Sequence, residues 1–193
     1  MKALLSVYDK TDIVDFAKKL LSLGVDLVST GGTHRAISDA GFNVQQVSDF
    51  TGSPEILDGR VKTLHPRVHG GLLARRESSE HMAELAAHGI ATIDLVAVNL
   101  YPFEQKLNKN IKFEKLIEYI DIGGPTLIRA AAKNFQDVAV ITSINDYSEL
   151  TNELNKHKGS TSLKFRKFMS SKAFSLTSYY DSIISGWLNH HMN

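Results

Sequence analysis

Four short apolar runs constrain this 193-residue chain more than any other feature: ALLSV at 3–7, VDLVS at 25–29, IDLVAVNL at 93–100 and DVAVIT at 137–142. The last two are nearly continuous, the pattern a strand shows when both of its faces are covered. Between the runs, apolar residues recur at helical spacing. Ile13, Val14, Phe16, Ala17, Leu20 and Leu21 do so up to Gly24, a short segment runs from about His34 to Ala40 and stops at Gly41, and further stretches lie around 78–88, 113–120 and 125–134. Strands alternating with helices predict an α/β fold with a mostly parallel sheet and right-handed crossovers. From about Asn145 onward the strand pattern ends. Phe165, Phe168, Ala173, Leu176, Tyr180, Ile183 and Trp187 keep roughly helical spacing there, which predicts a helix or helix pair packed on the sheet or on a second subunit. The length suits a single domain over 1–193, with an α/β core over about 1–143 and a helical C-terminal extension over about 144–193.

Composition narrows the function classes. With no cysteine there is no disulfide framework, no thiolate nucleophile and no cysteine-type zinc site, which fits a reducing, cytoplasmic compartment. The first residues, MKALLSVYDKTD, lack the apolar length of a signal peptide, and no run approaches the ~18 residues of a membrane span. Lys and Arg total 22 against 21 Asp and Glu, so the whole chain exerts no pull on nucleic acid. The stretch between Glu153 and Asp181 is free of acids and carries Lys156, Lys158, Lys164, Arg166, Lys167 and Lys172; it reads as a solvated helix face.

Chemistry-bearing residues gather in five segments. LVSTGGT (27–33) leaves a strand through Thr30 into Gly31, Gly32 and Thr33 at a helix N-terminus, where glycines admit an anion to exposed N–H groups. Ser6, Asp9 and Lys10 follow the first strand and would emerge at the same carboxyl edge of a parallel sheet. The segment 49–70 lacks periodicity and reads as a long ordered loop, and within it Arg60, Lys62 and Thr63 can reach an anionic or oxyanionic substrate. His65 and His69 are four apart, but Pro66 intervenes and no acid completes a zinc pattern, so no metal site is expected. NLYPF (99–103) puts Asn99 and Tyr101 at the end of a buried strand, and DIGGP (121–125) puts Gly123 and Gly124 ahead of Pro125 at the first helical position, leaving N–H groups of 122–124 as a second anion site. Asp121 and Lys133 bracket that helix, yet 125–133 rises about 12 Å, so their contact requires a bend or a long Lys reach.

These segments, LLSVYDKT (4–11), LVSTGGT (27–33), DGRVKTLHPRVHGG (58–71), VNLYPFE (98–104) and DIGGPTLIRAAAKN (121–134), with KAF (172–174), together resemble the inosine monophosphate (IMP) cyclohydrolase family. That family is the N-terminal half of a bifunctional purine-biosynthesis enzyme whose other half is the AICAR transformylase. The resemblance implies a methylglyoxal-synthase-like three-layer fold, a homodimer, and closure of formyl-AICAR (FAICAR) to IMP with loss of water. It implies no cofactor, no metal, no nucleic acid and no membrane. By motif, Ser6, Lys10, Thr30, Gly31, Gly32 and Thr33 would hold the 5′-phosphate, so that Thr33→Val is expected mainly to weaken binding. Arg60, Lys62, Thr63, Asn99, Tyr101, Asp121, Ile122, Gly123, Gly124 and Lys133 would surround the imidazole, its carboxamide and its formamido group. Lys62 and Tyr101 fall on the oxyanion side and the Asp121–Lys133 pair on proton transfer, with acid and base left open between those two.

Two departures stand out. Tyr8 in SVYDK replaces the small residue of the family's usual SVSDK, beside the expected phosphate site, and the transformylase half is absent. The chain is then a free-standing cyclohydrolase fed by a separate FAICAR-forming enzyme, or an excised domain. Two other readings share the fold: methylglyoxal synthase, and a nucleotide-sensing module like the allosteric domain of carbamoyl phosphate synthetase. Neither would need Lys62, Tyr101, Asp121 and Lys133 together.

Overall fold

The computed structural model describes residues 1–107, 109 and 111–191. Strands β1 (Lys2–Val7), β2 (Asp26–Ser29), β3 (Gln45–Gln46), β4 (Leu95–Asn99) and β5 (Ala139–Ile141) form one sheet in the order β3-β2-β1-β4-β5, and every pairing is parallel. The chain winds outward from β1 through helix α1 (Ile13–Ser22) to β2 and through α2 (Gly31–Asp39) to β3. It then returns past β1 by way of α3 (Val47–Thr51), α4 (Pro66–Leu73) and α5 (Ser79–Ala87) to β4. From β4 it winds the opposite way through α6 (Phe103–Leu107), α7 (Phe113–Ile117) and α8 (Gly123–Lys133) to β5, and ends in α9 (Tyr147–Lys156) and α10 (Leu163–His191). Right-handed crossovers in opposite directions put α1 and α2 on one face and α8 on the other, and open a crevice between β1 and β4 at their carboxyl ends.

The central strands read as apolar runs because they are covered on both sides. Ala3, Leu4 and Leu5 in β1 and Leu95, Val96 and Ala97 in β4 are fully buried. Helix α1 buries Ile13, Phe16, Ala17 and Leu20 in the same core, where Phe16 stacks on Tyr147 of α9 at 3.9 Å between centroids. Helix α10 lies on α8 and β5 through Phe165, Met169 and Ala173, then continues to a smaller cluster in which Phe103 and Tyr180 meet edge to face. Among the described residues no helix is long and apolar enough to cross a membrane.

The structure revises several sequence-based boundaries. Helix α2 begins at Gly31, not near His34, and α8 begins at Gly123, so Pro125 is its third residue rather than its first. The stretch 49–70 is not one loop: α3 occupies its start, a 3-10 turn spans Leu57–Gly59, and α4 begins at Pro66. Proline is tolerated at that first position because its missing N–H would have had no helical partner, and His65 completes the start by accepting the Arg67 N–H on Nδ1 at 3.1 Å. The acceptor role fixes Nε2 as the protonated nitrogen, which faces Ser53 Oγ at 3.2 Å.

Gly71 marks where α4 presses on the segment before β4: the Ile93 N–H donates to its carbonyl at 3.0 Å, and an added Cβ would fall inside contact distance of the Ala91 carbonyl oxygen. Gly71→Ala is expected to cost about 1–3 kcal/mol in a urea unfolding series. An unchanged midpoint would show that this approach is looser than described.

Candidate functional site

The crevice at the reversal of strand order is a cavity of about 770 Å³, walled by the carboxyl ends of β1 and β4, the N-terminus of α2, the 58–63 segment and the start of α8. Parallel register explains the convergence. Ser6 lies opposite Val98, Val7 opposite Asn99, and Leu5 opposite Ser29, so the residues after each strand surface together.

At one end, Ser6 Oγ and Thr30 Oγ1 are 2.8 Å apart. The N–H groups of Thr33 and His34 bond back to the Thr30 carbonyl, at 2.9 and 3.0 Å, whereas those of Gly31 and Gly32 have no backbone acceptor. These two donors sit at the positive end of the α2 dipole. Lys10 lies against the same turn: a Cβ on Gly32 would come within 3.1 Å of Lys10 Cε, so a side chain there would displace the lysine. Two uncommitted N–H groups, two hydroxyls and an ammonium form a site suited to a phosphate. Thr33 does not take part through its hydroxyl. That side chain is buried, accepts the Val7 N–H at 3.0 Å and donates to the Val7 carbonyl at 3.0 Å, so it fastens β1 to α2.

Lys62, Thr63, Tyr101, Asp121, Ile122, Gly123 and Gly124 line the other end. Asp121 is held two ways: Oδ1 accepts the Gly124 N–H at 2.8 Å, and its backbone N–H donates to Tyr180 Oη at 2.9 Å, which in turn donates to the Tyr119 carbonyl at 3.2 Å. The Gly124 N–H expected to serve a ligand is therefore taken by Asp121. Burial raises the Asp121 carboxyl above the ordinary aspartate range, while the Gly124 and Tyr101 backbone bonds and the Lys62 charge pull it back in part. Tyr101 is raised too, by burial first and then by the charge of Asp121. Tyr180 is pushed up to about 12 by its burial, which keeps it a neutral phenol.

Asn99 proves to be a fastener. Its Oδ1 accepts the N–H groups of Tyr8 and Asp9, at 2.6 and 3.0 Å, and its Nδ2 donates to the Asp9 carbonyl at 2.9 Å, pinning the loop after β1. Tyr8 packs its ring edge-on against Tyr101, 5.0 Å between centroids, rather than over the glycine turn, and its carbonyl accepts from Lys10 Nζ at 3.1 Å. Arg60 forms an ion pair with Glu118 across the cavity mouth, both side chains well exposed.

Of the residues nominated from sequence, Gly31 and Lys133 do not line the cavity. Gly31 lies just behind it, where a Cβ would be 3.7 Å from Lys62 Nζ. Lys133 is an exposed residue at the far end of α8, about 15 Å along an unbent helix from Gly123, and the cation acting on Asp121 is Lys62. Sequence reasoning missed Glu118 and Tyr180, whose helical segments carry no motif, and passed over Asp58 and Gly59 inside a segment it had singled out. Among the described residues no group of three or more metal-binding side chains gathers.

A family model described as MGS-like domain matches residues 12–126, and one described as AICARFT/IMPCHase bienzyme matches 131–193. The bifunctional purine biosynthesis protein PurH of Bradyrhizobium diazoefficiens is 56% identical over 188 residues, covering 97% of this chain and 36% of that protein. PurH of Ruegeria sp. is 51% identical over 97% of this chain and 35% of its own length. The chain thus spans about a third of the curated relatives it matches. The crystal structure of ForH superposes with a TM-score of 0.84 at 37% identity, covering 96% of this chain and 97% of that one.

Thr33→Val would strip the Val7 N–H and carbonyl of a buried partner, so it is expected to cost about 1–3 kcal/mol of stability in urea unfolding, the reverse of a pure binding defect. Unchanged stability with weakened ligand binding would restore the hydroxyl to the ligand. Asp121 has a folded pKa above its ordinary 3.8, so its contribution favours the fold below that value and is lost as pH rises through the raised pKa. Asp121→Asn is accordingly expected to be more stable than the parent at pH 7 and to lose that advantage at pH 3. Equal unfolding midpoints at pH 7 would mean the carboxylate is better solvated than its burial indicates.

Proposed function

The chain belongs to the MGS-like domain and AICARFT/IMPCHase families, and on that premise we propose that it is an IMP cyclohydrolase closing FAICAR to IMP and water. The observation that carries the proposal is the two-ended cavity. A phosphate-compatible turn and an Asp–Tyr–Lys group face one space of about 770 Å³, ample for a ribonucleoside monophosphate.

The 5′-phosphate sits on the Gly32 N–H group with Lys10 and the Ser6 and Thr30 hydroxyls, at the N-terminus of α2, and the imidazole extends toward Asp121. Ring closure requires the carboxamide nitrogen to form a C–N bond to the formyl carbon. The formyl oxygen becomes an oxyanion, and the nitrogen sheds a proton. Asp121 accepts that proton, a role its burial favours by raising its basicity. Lys62 and Tyr101 donate to the oxyanion, and such a preorganised donor is worth roughly 2.7–4 kcal/mol. The proton taken up by Asp121 is returned to the oxyanion, and the resulting hydroxyl leaves with the former formamido proton as water, so that the bond between the formyl carbon and the formamido nitrogen becomes double. Lys133 has no step in this scheme, Asn99 and Thr33 act by holding the walls, and Arg60 reaches a ligand only by leaving Glu118.

A phosphate-eliminating or nucleotide-sensing member of the same fold would use the phosphate end alone. Two acids at the opposite end, both shifted upward by burial, favour a site built for proton transfer. The proposal includes a homodimer, supported by exposed Ile117 and Ile122 at the cavity and exposed Ile56 and Leu57 in the turn that carries Lys62, and a separate enzyme that formylates the amine precursor. Sedimentation of the purified chain reads the first.

Purified chain mixed with FAICAR, without folate or metal, is expected to form the purine chromophore. Absence of conversion with IMP still bound in calorimetry would favour the sensing role. Lys62→Ala and Asp121→Ala are each expected to lower turnover about a hundredfold with the fold retained, and unaltered turnover in either removes that residue from the mechanism.

A further inference from the structure

Behind Lys62, outside the cavity lining, stands a carboxylate that the scheme above does not use. Residues 55–62 fold back on themselves: Ile56 and Val61 form an antiparallel bridge, with the Ile56 N–H donating to the Val61 carbonyl at 3.3 Å and the Val61 N–H donating back at 3.4 Å. Glu55 and Lys62 flank that bridge and so face each other as a cross-strand pair. Glu55 Oε2 lies 3.7 Å from Lys62 Nζ, with both side chains about a third exposed or less. The turn that closes this loop is costly. Leu57, Asp58 and Gly59 take φ of 53, 54 and 83° in succession, and only the last is a residue that adopts the left-handed region freely. The space is also committed: a Cβ on Gly59 would stand 3.0 Å from Lys62 Nζ and 3.4 Å from Glu55 Oε2, so a side chain there would split the pair.

The second oxygen, Oε1, is buried and has no hydrogen-bond partner. A buried carboxylate oxygen without a donor is unfavourable, so the ammonium beside it answers to a standing demand. At 3.7 Å the contact is an ionic attraction and not a hydrogen bond, which leaves the three Lys62 donors uncommitted. Lys62 also lines the cavity together with Asp121, whose carboxyl its charge lowers in part, so one cation serves two carboxylates.

We propose that Glu55 is a positioning residue that holds Lys62 back from Asp121, keeping the ammonium free to donate to substrate and the Asp121 carboxylate free to accept a proton. The proposal rests on the cyclohydrolase reading for its kinetic consequence but not for the ion pair itself. Without the Glu55 charge, Lys62 is drawn onto Asp121 and each quenches the other.

The test measures FAICAR closure by the parent chain, Glu55→Gln, Glu55→Asp, Lys62→Ala and the Glu55→Gln/Lys62→Ala double variant. Glu55→Gln is expected to lower kcat about tenfold with KM within about twofold, Glu55→Asp to recover most of that loss, and the double variant to match Lys62→Ala, because Glu55 has nothing to position once Lys62 is gone. A Glu55→Gln loss that repeats in full in the Lys62→Ala background, or an unchanged kcat, overturns the proposal. A second readout needs no turnover. The Lys62-bearing peptide, followed by mass spectrometry during brief acetic anhydride treatment of the folded proteins, is expected to be acetylated at a rate that differs severalfold between parent and Glu55→Gln. Equal rates overturn the proposal even if FAICAR proves not to be a substrate, and a silent parent chain with differing rates faults the cyclohydrolase reading alone.

Discussion

The parallel pairing of β1 with β4 is the constraint on which everything else rests. Each of these strands has a buried apolar middle because each is covered on both faces, so neither can slide without exposing a buried run. One strand passes the chain toward β2 and the other toward β5, so the connections that leave their carboxyl ends diverge. The crevice is therefore a by-product of topology, and the register of the two strands decides which residues meet in it. Side-chain to main-chain hydrogen bonds then hold the walls. Thr33 joins the end of β1 to α2, and Asn99 at the end of β4 holds the loop that leaves β1. The substrate-facing groups depend on these fasteners without being among them.

Asp121 shows how such a site is charged. The start of α8 lies against its carboxyl, and burial outweighs the favourable Gly124 N–H and the nearby lysine. The fold tolerates an acid in that position because other interactions are large enough to carry it, and the resulting rise in basicity suits proton abstraction. The backbone on either side is tied by Tyr180, a phenol kept neutral by its own burial, so the anchor does not titrate along with the group it holds.

The central strands were legible in the sequence because burial on both faces writes itself as an apolar run. The two-residue β3 was not, since Gln45 and Gln46 lie at a sheet edge and bury no periodic pattern. Helix starts moved for a common reason: Gly31 and Gly123 lie in turns by propensity, but packing of α2 and α8 on the sheet extends each helix back through them. The residue types of the site were readable from motifs, whereas their division of labour was not. Asn99, Thr33 and Lys62 are all polar residues at a strand end or in a loop, and only their partners separate a fastener from a donor. Lys133 misled because it is near Asp121 in sequence, while the helix between them carries it away. Glu118 and Glu55 gave no signal, as nothing in a sequence states which carboxylate will face which cation across a fold.

Helix α10, 29 residues and about 44 Å long, brings Tyr180 to the main-chain N–H of Asp121, 59 positions earlier in the chain. During synthesis, the glycine turn of α2 can emerge and fold against β1 long before Tyr180 has been translated. The acidic half of the crevice then waits, its main chain untied, until α10 docks. A ribosome-bound nascent chain would thus assemble the two ends of the crevice at different times, the glycine turn first and the Asp121 end after it.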